Sequence, residues 1–176
     1  MNWDAIGAVG EILGAIAVML SLVYLATQIR VSNKSAKQST MQSQMHEATT
    51  FLGRISSDTT TCKIWSVGLL VPDSLTPLEL TQFSTLCLEM TLIYERLYYL
   101  NQSSSIESHF SHSMTQAIRR VLGSPGYKVW FEDRKGDFTI DFTNWLSVEQ
   151  STSGEYVPFS EILNKSISSY ERNDDL

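Results

Sequence analysis

The sequence predicts an all-α protein: one N-terminal transmembrane helix continuing into a cytoplasmic helical domain of about five helices. Three observations carry that expectation. The stretch over residues 6–30, IGAVGEILGAIAVMLSLVYLATQIR, contains a run at 12–26 with no charge. Helix-start signals recur along the remainder, at Asp58, at Thr76-Pro77-Leu78-Glu79 and at Ser124-Pro125. No run alternates with period two between turn signals for long enough to pair strands.

Residues 6–29 amount to about 24 positions, or about 36 Å as a helix, against a hydrocarbon core of about 30 Å. In lipid such a segment satisfies its own backbone polar groups only as a helix. A cleavable signal peptide is the rival reading, but that would begin with bases and end at a small-x-small site. Here the chain starts MNWD and the far flank is QIRVSNKSAK, which reads as a stop-transfer signal with Arg30, Lys34 and Lys37. Because Lys and Arg are retained on the cytoplasmic side, the N-terminus is expected outside and everything after Arg30 inside, at a bacterial inner (plasma) membrane. Trp3 and Tyr24 suit interfacial anchoring.

The span has a patterned face. Gly7, Gly10, Gly14, Ala17, Ser21, Tyr24 and Gln28 recur at alternating spacings of three and four, a heptad seam. Gly10 and Gly14 form a GxxxG pair, which lets two backbones approach closely. Small residues are also simply common in membrane helices; the length of the seam is what favours self-association. Glu11 lies inside this apolar stretch, where a carboxylate costs a few kcal/mol unless protonated, snorkelling, or facing protein or water. Two readings stay open: copies of Glu11 ring a water-filled path, or the side chain reaches the outer headgroups or a partner helix.

At 176 residues and net charge −6, the chain has room for one span and one small domain, and its acidity is not that of a nucleic-acid binder. The expected division is a span at 1–30, a helical domain at 31–148 and a polar, disordered tail at 149–176. The juxtamembrane bases suit anionic inner-leaflet lipids. Cys62 and Cys87 lack CxxC spacing and are expected as small core residues, unpaired in a cytosolic setting.

Helix is expected to run without a break over residues 5–57, with Met41, Met45, Ala48, Leu52 and Ile55 as the buried stripe of its later turns. Asp58 then caps a short helix with Ile64, Trp65 and Leu69, closed by Val71-Pro72. Thr76 as N-cap, Pro77 at N1 and Glu79 at N3 make a capping box. The helix they open carries Leu80, Phe83, Leu86, Cys87, Met90, Tyr94, Leu97 and Tyr98. Glu89 and Glu95 on it invite a di-metal reading, but neither has the histidine three residues on that such a site wants. A helix over 106–122 follows, stopped by Gly123. Its His109 and His112 are two ligands at i, i+3, half a metal site. Ser124 and Pro125 restart the chain, and residues 137–146 form a last amphipathic helix with Phe138, Phe142 and Trp145 on one face. The aromatic residues from Tyr127 to Trp145 are expected to fill the core rather than to line a ligand box.

In this order the motifs resemble a widespread group of uncharacterised small bacterial single-pass membrane proteins. The residues that carry the resemblance are 7–30, then Ile64, Trp65 and Gly68, then 72–79, and lastly Pro125, Gly126, Trp130 and Phe131. It covers residues 2–146. What it implies is the fold and topology above; it implies no activity.

No G-x-S-x-G elbow, P-loop or H-E-x-x-H is present, so no catalytic, cofactor-binding or metal residue is assigned and the chain is not expected to be an enzyme. The partners expected are the lipid bilayer and further copies of the chain, with no nucleic acid and no protein partner specified. Two functional classes follow. One is a membrane-embedded homo-oligomer, with ion conduction as a hypothesis; the alternative is a monomeric anchor or adaptor presenting a partner-binding helical domain.

Overall fold

A computed structural model describes residues 3–154 together with 157, 158 and 161, and the side chains of all of these except residues 4–6. Every regular element among them is helical, in the order α1 (Trp3–Ser57), α2 (Thr59–Leu70), α3 (Pro77–Gln102), α4 (Ser108–Leu122), α5 (Pro125–Arg134) and α6 (Ile140–Thr152), with 3-10 turns at Pro72–Ser74 and Lys135–Asp137. The chain divides into two compact units, Met1–Ser43 and Gln44–Leu176. The expected disordered tail lies mostly outside the described residues; where it was expected to begin, α6 instead continues to Thr152.

The first unit holds α1 as far as Ser43. Its residues 7–39 are all exposed. The most apolar window of this helix has a mean hydropathy of 2.1, long and apolar enough to cross a membrane.

The second unit is a packed helical domain whose starts are set by local chemistry. Asp58 caps α2 by accepting hydrogen bonds from the Thr61 backbone N–H and hydroxyl, both at 2.7 Å, and these bonds hold its carboxyl below the usual range. Thr76 and Glu79 close the capping box: the Thr76 N–H donates to Glu79 Oε2 at 2.8 Å and the Glu79 N–H to Thr76 Oγ1 at 3.4 Å. Ser124 caps α5, with Pro125 in its first turn. The last helix begins later than expected, at Ile140 rather than residue 137, because Lys135–Asp137 is a 3-10 turn and Thr139 is the N-cap.

α3 supplies the spine of the core. Phe83, Leu86, Cys87, Met90, Tyr94 and Leu97 along it are buried. The rest of the core comes from Ile64 and Leu69 of α2, Met114, Ile118 and Leu122 of α4, Tyr127 and Phe131 of α5, and Phe142 and Leu146 of α6. The polar ends of the core aromatics find partners. Thr91 Oγ1 donates to the Cys87 carbonyl at 2.7 Å, which leaves its lone pairs to accept from the Tyr127 hydroxyl at 2.9 Å. Trp130 Nε1 donates to Ser84 Oγ at 2.8 Å, and the Tyr94 hydroxyl to the Met114 carbonyl at 3.1 Å. Burial pushes the Tyr94 phenol up to about 12 and raises the Tyr127 phenol and the Cys87 thiol as well. Cys87 is therefore a neutral core residue, whereas Cys62 is exposed rather than buried as expected.

The stripe expected on the later turns of α1 holds at Ile55 but is off by one residue at Met45 and Leu52. Gln44, Phe51 and Ile55 are buried, while Met45 is 47% exposed and Leu52 60% exposed. Phe51 decides the register: its ring meets Trp65 edge-to-face, with centroids 5.6 Å apart.

Two glycines permit the closest helix approach. A Cβ on Gly126 of α5 would overlap the carbonyl oxygen of Gly68 in α2, and a Cβ on Gly68 would run into the Phe83 ring. A backbone atom cannot swing aside as a side chain can, so the crossing of α2 and α5 depends on glycine at 126. Gly126→Ala is expected to destabilise the domain by about 3 kcal/mol, the upper range for overpacking. Thermal unfolding followed by circular dichroism at 222 nm checks this; an unchanged midpoint would show that the helices separate without cost.

Candidate functional site

The seam residues lie on the exposed part of α1, and this part of the chain is the first candidate site. Among the described residues no neighbouring atom beyond the helix's own backbone comes within 4 Å of a Cβ added at Gly7, Gly10 or Gly14, so no packing seen among them requires glycine there. The aliphatic hydroxyls at Ser21 and Thr27 are satisfied by the helix's own backbone: Ser21 Oγ donates to the Ala17 carbonyl at 2.8 Å and Thr27 Oγ1 to the Tyr24 carbonyl at 2.7 Å. That local bonding removes the cost of placing a hydroxyl in an apolar medium. Glu11 is exposed and has no ion-pair or hydrogen-bond partner among the described residues.

The turn of about 100° per residue sorts the charged positions around α1. Gly7 through Gln28 occupy one face. Arg30, Lys34 and Lys37 fall within about 60° of one another on the opposite face, and all three are exposed. Glu11 stands to one side of the seam, nearest Gly7 and Gly14.

In the second unit, the carboxylates singled out on α3 are each held by a structural partner. Glu89 pairs with Arg54, and Glu47 with Arg96, tying the end of α1 to α3. Glu95 accepts from the Thr139 hydroxyl at 3.1 Å and backbone N–H at 3.3 Å, so it serves the start of α6. These roles leave no paired carboxylate site on α3. His109 and His112 are exposed on α4, and among the described residues no three His, Cys, Asp or Glu side chains gather closely enough to hold a metal.

No family model, curated protein or solved structure matches this chain. The site must therefore be read from its own geometry.

Three features escaped the sequence. The Arg119–Glu149 pair joins α4 to α6, with Arg119 Nε and Nη2 each 2.9 Å from Glu149 Oε2; residues 30 positions apart carry no local signal of pairing. An apolar groove of about 210 Å³ runs between the end of α1, α3 and α4, with Met45, Leu52, Met90, Met114 and Val121 among its walls. Gln44 is fully buried, and its Oε1 has no hydrogen-bond partner among the described residues.

An unpaired buried carbonyl loses its hydration without compensation, at a cost of about 1–3 kcal/mol. Gln44→Met keeps the volume and removes that oxygen, together with a long hydrogen bond of 3.4 Å from Nε2 to Glu47 Oε2. The expected result is a rise in stability of about 1 kcal/mol by thermal unfolding. A fall of that size would reveal a hydrogen bond that Gln44 makes in solution.

Proposed function

We propose that this protein is an integral membrane protein whose α1 spans a bacterial inner membrane, self-associates along the Gly7–Gln28 seam and carries a helical domain on the cytoplasmic side. The observation that carries the reading is the exposure of α1 over residues 7–39, with an apolar stretch of spanning length inside it. Apolar surface on this scale is stable only when covered by lipid or protein. Small residues along one face lower the distance of approach between helices, and van der Waals packing at that short distance drives association in lipid. With the seam turned inward in such an assembly, Arg30, Lys34 and Lys37 on the opposite face point outward, toward anionic headgroups. The arrangement satisfies both sets of residues at once.

Glu11 gives the reading its narrower form. Beside the seam, and repeated in every copy, it would place a ring of carboxylates near the outer side, where it would attract cations. Ion conduction is the proposal that follows for an assembly with a hydrated axis. The competing reading is a monomeric anchor or adaptor, and it draws on the packed second unit, which has a core of its own and needs no second copy to complete it.

Light scattering on the detergent-solubilised protein separates the two. The oligomer reading expects a mass of several chains for the wild type, falling to one chain in the Gly10→Leu/Gly14→Leu variant, whose side chains block the close approach. A wild-type monomer would remove the oligomer and leave the anchor. An alkaline phosphatase fused after residue 176 should be inactive, as expected for a cytoplasmic C-terminus; activity would reverse the orientation. If the oligomer conducts, Glu11→Gln should lower cation selectivity in planar bilayers.

A further inference from the structure

A second site lies in the helical domain, away from the seam. α3, α4 and α6 enclose a cleft of about 400 Å³, within the ~300–1,000 Å³ typical of small-molecule sites. One wall is aromatic: Tyr98 and Trp145, with ring centroids 5.3 Å apart, both half-buried. The other wall is the first half of α4, presenting His109, Ser111 and His112. Arg119 closes one end, held against Glu149.

We propose that this cleft binds a small aromatic oxyanion: a flat ring bearing a carboxylate or a phosphate. Ser111 is the first reason. It is only 8% exposed, lines the cleft, and its hydroxyl makes no hydrogen bond among the described residues. Its Oγ opens on the cleft and is free to donate to a ligand there. The sign of the cleft is the second. Glu149 is the one acid among the described lining residues, and a single oxygen of it takes both contacts from Arg119. The guanidinium retains its Nη1 donors, and along the same wall His109 adds a ring N–H and His112 its Nδ1 side, the His112 Nε2 lying 3.3 Å from Gln116 Nε2. α4 also starts without a side-chain cap, because Glu107 at the N-cap position makes no such bond. Its first N–H groups and the positive end of the helix dipole therefore remain available beside Ser108. The third reason is the opposite wall, where Tyr98 and Trp145 offer ring faces to a flat apolar body.

The test is isothermal titration calorimetry of the full chain in nonionic detergent, with phenyl phosphate, benzoate and inorganic phosphate as probes. One ring-bearing anion is expected to bind at one per chain, and inorganic phosphate at least tenfold more weakly than phenyl phosphate. His109→Ala/His112→Ala, at two exposed positions, should weaken the ring-bearing probe at least tenfold without moving the unfolding midpoint. Ser111→Ala should weaken it several-fold, and His46→Ala, outside the cleft, should leave it unchanged. The proposal is overturned if neither ring-bearing anion binds saturably, if the double histidine variant binds as the wild type does, or if inorganic phosphate binds as tightly as phenyl phosphate.

Discussion

A helix whose long apolar stretch lies wholly exposed places a demand on its surroundings. Over residues 7–39 α1 offers only exposed side chains, while its hydroxyls at Ser21 and Thr27 turn back onto its own backbone. Water solvates such a surface poorly, and a bilayer accepts it because the helix has already satisfied its polar backbone. The proposed spanning role, the orientation from Arg30, Lys34 and Lys37, and the use of the small-residue seam all descend from this one constraint. Glu11 is the exception to it, and the ring of carboxylates is the proposal that turns its cost into a use.

The helical domain obeys a different constraint, that of close packing in water. Its tightest point is the crossing of α2 and α5, where Gly126 lies over the Gly68 carbonyl. That approach brings α5 near enough to α3 for Tyr127 to reach Thr91 and for Trp130 to reach Ser84. The long-range ion pairs lie outside this core, and their partly exposed partners are screened by solvent. Hydrophobic burial along α3, rather than charge, holds the domain together.

Where the signal was local, the fold was legible in the sequence. Asp58, Thr76 with Glu79, and Ser124 with Pro125 each act within one turn, and each starts the helix expected of it. Periodicity served well along α3 from Phe83 to Leu97 and at Ile55 of α1, but missed by one residue at Met45 and Leu52, because these are as apolar as Phe51 and only the ring contact with Trp65 tells them apart. The onset of α6 was missed for a related reason: Phe138 belongs to the aromatic cluster of the core but precedes the helix, packing on Trp130, Phe131 and Phe142 from an extended residue. The cleft of α3, α4 and α6 was hardly legible at all. His109, His112 and Arg119 share one helix, with Arg119 two turns beyond His112, but Tyr98, Trp145 and Glu149 reach them only through tertiary folding.

Spin labels placed singly along residues 9–27 of α1 in lipid bilayers test the membrane claim most directly. Accessibility to oxygen, which partitions into lipid, should rise toward the middle of the stretch, while accessibility to a water-soluble nickel chelate should fall to a minimum there. On the seam positions both should be low, as expected where another helix covers the label. High nickel accessibility throughout, with no depth profile, would contradict the account and return α1 to water.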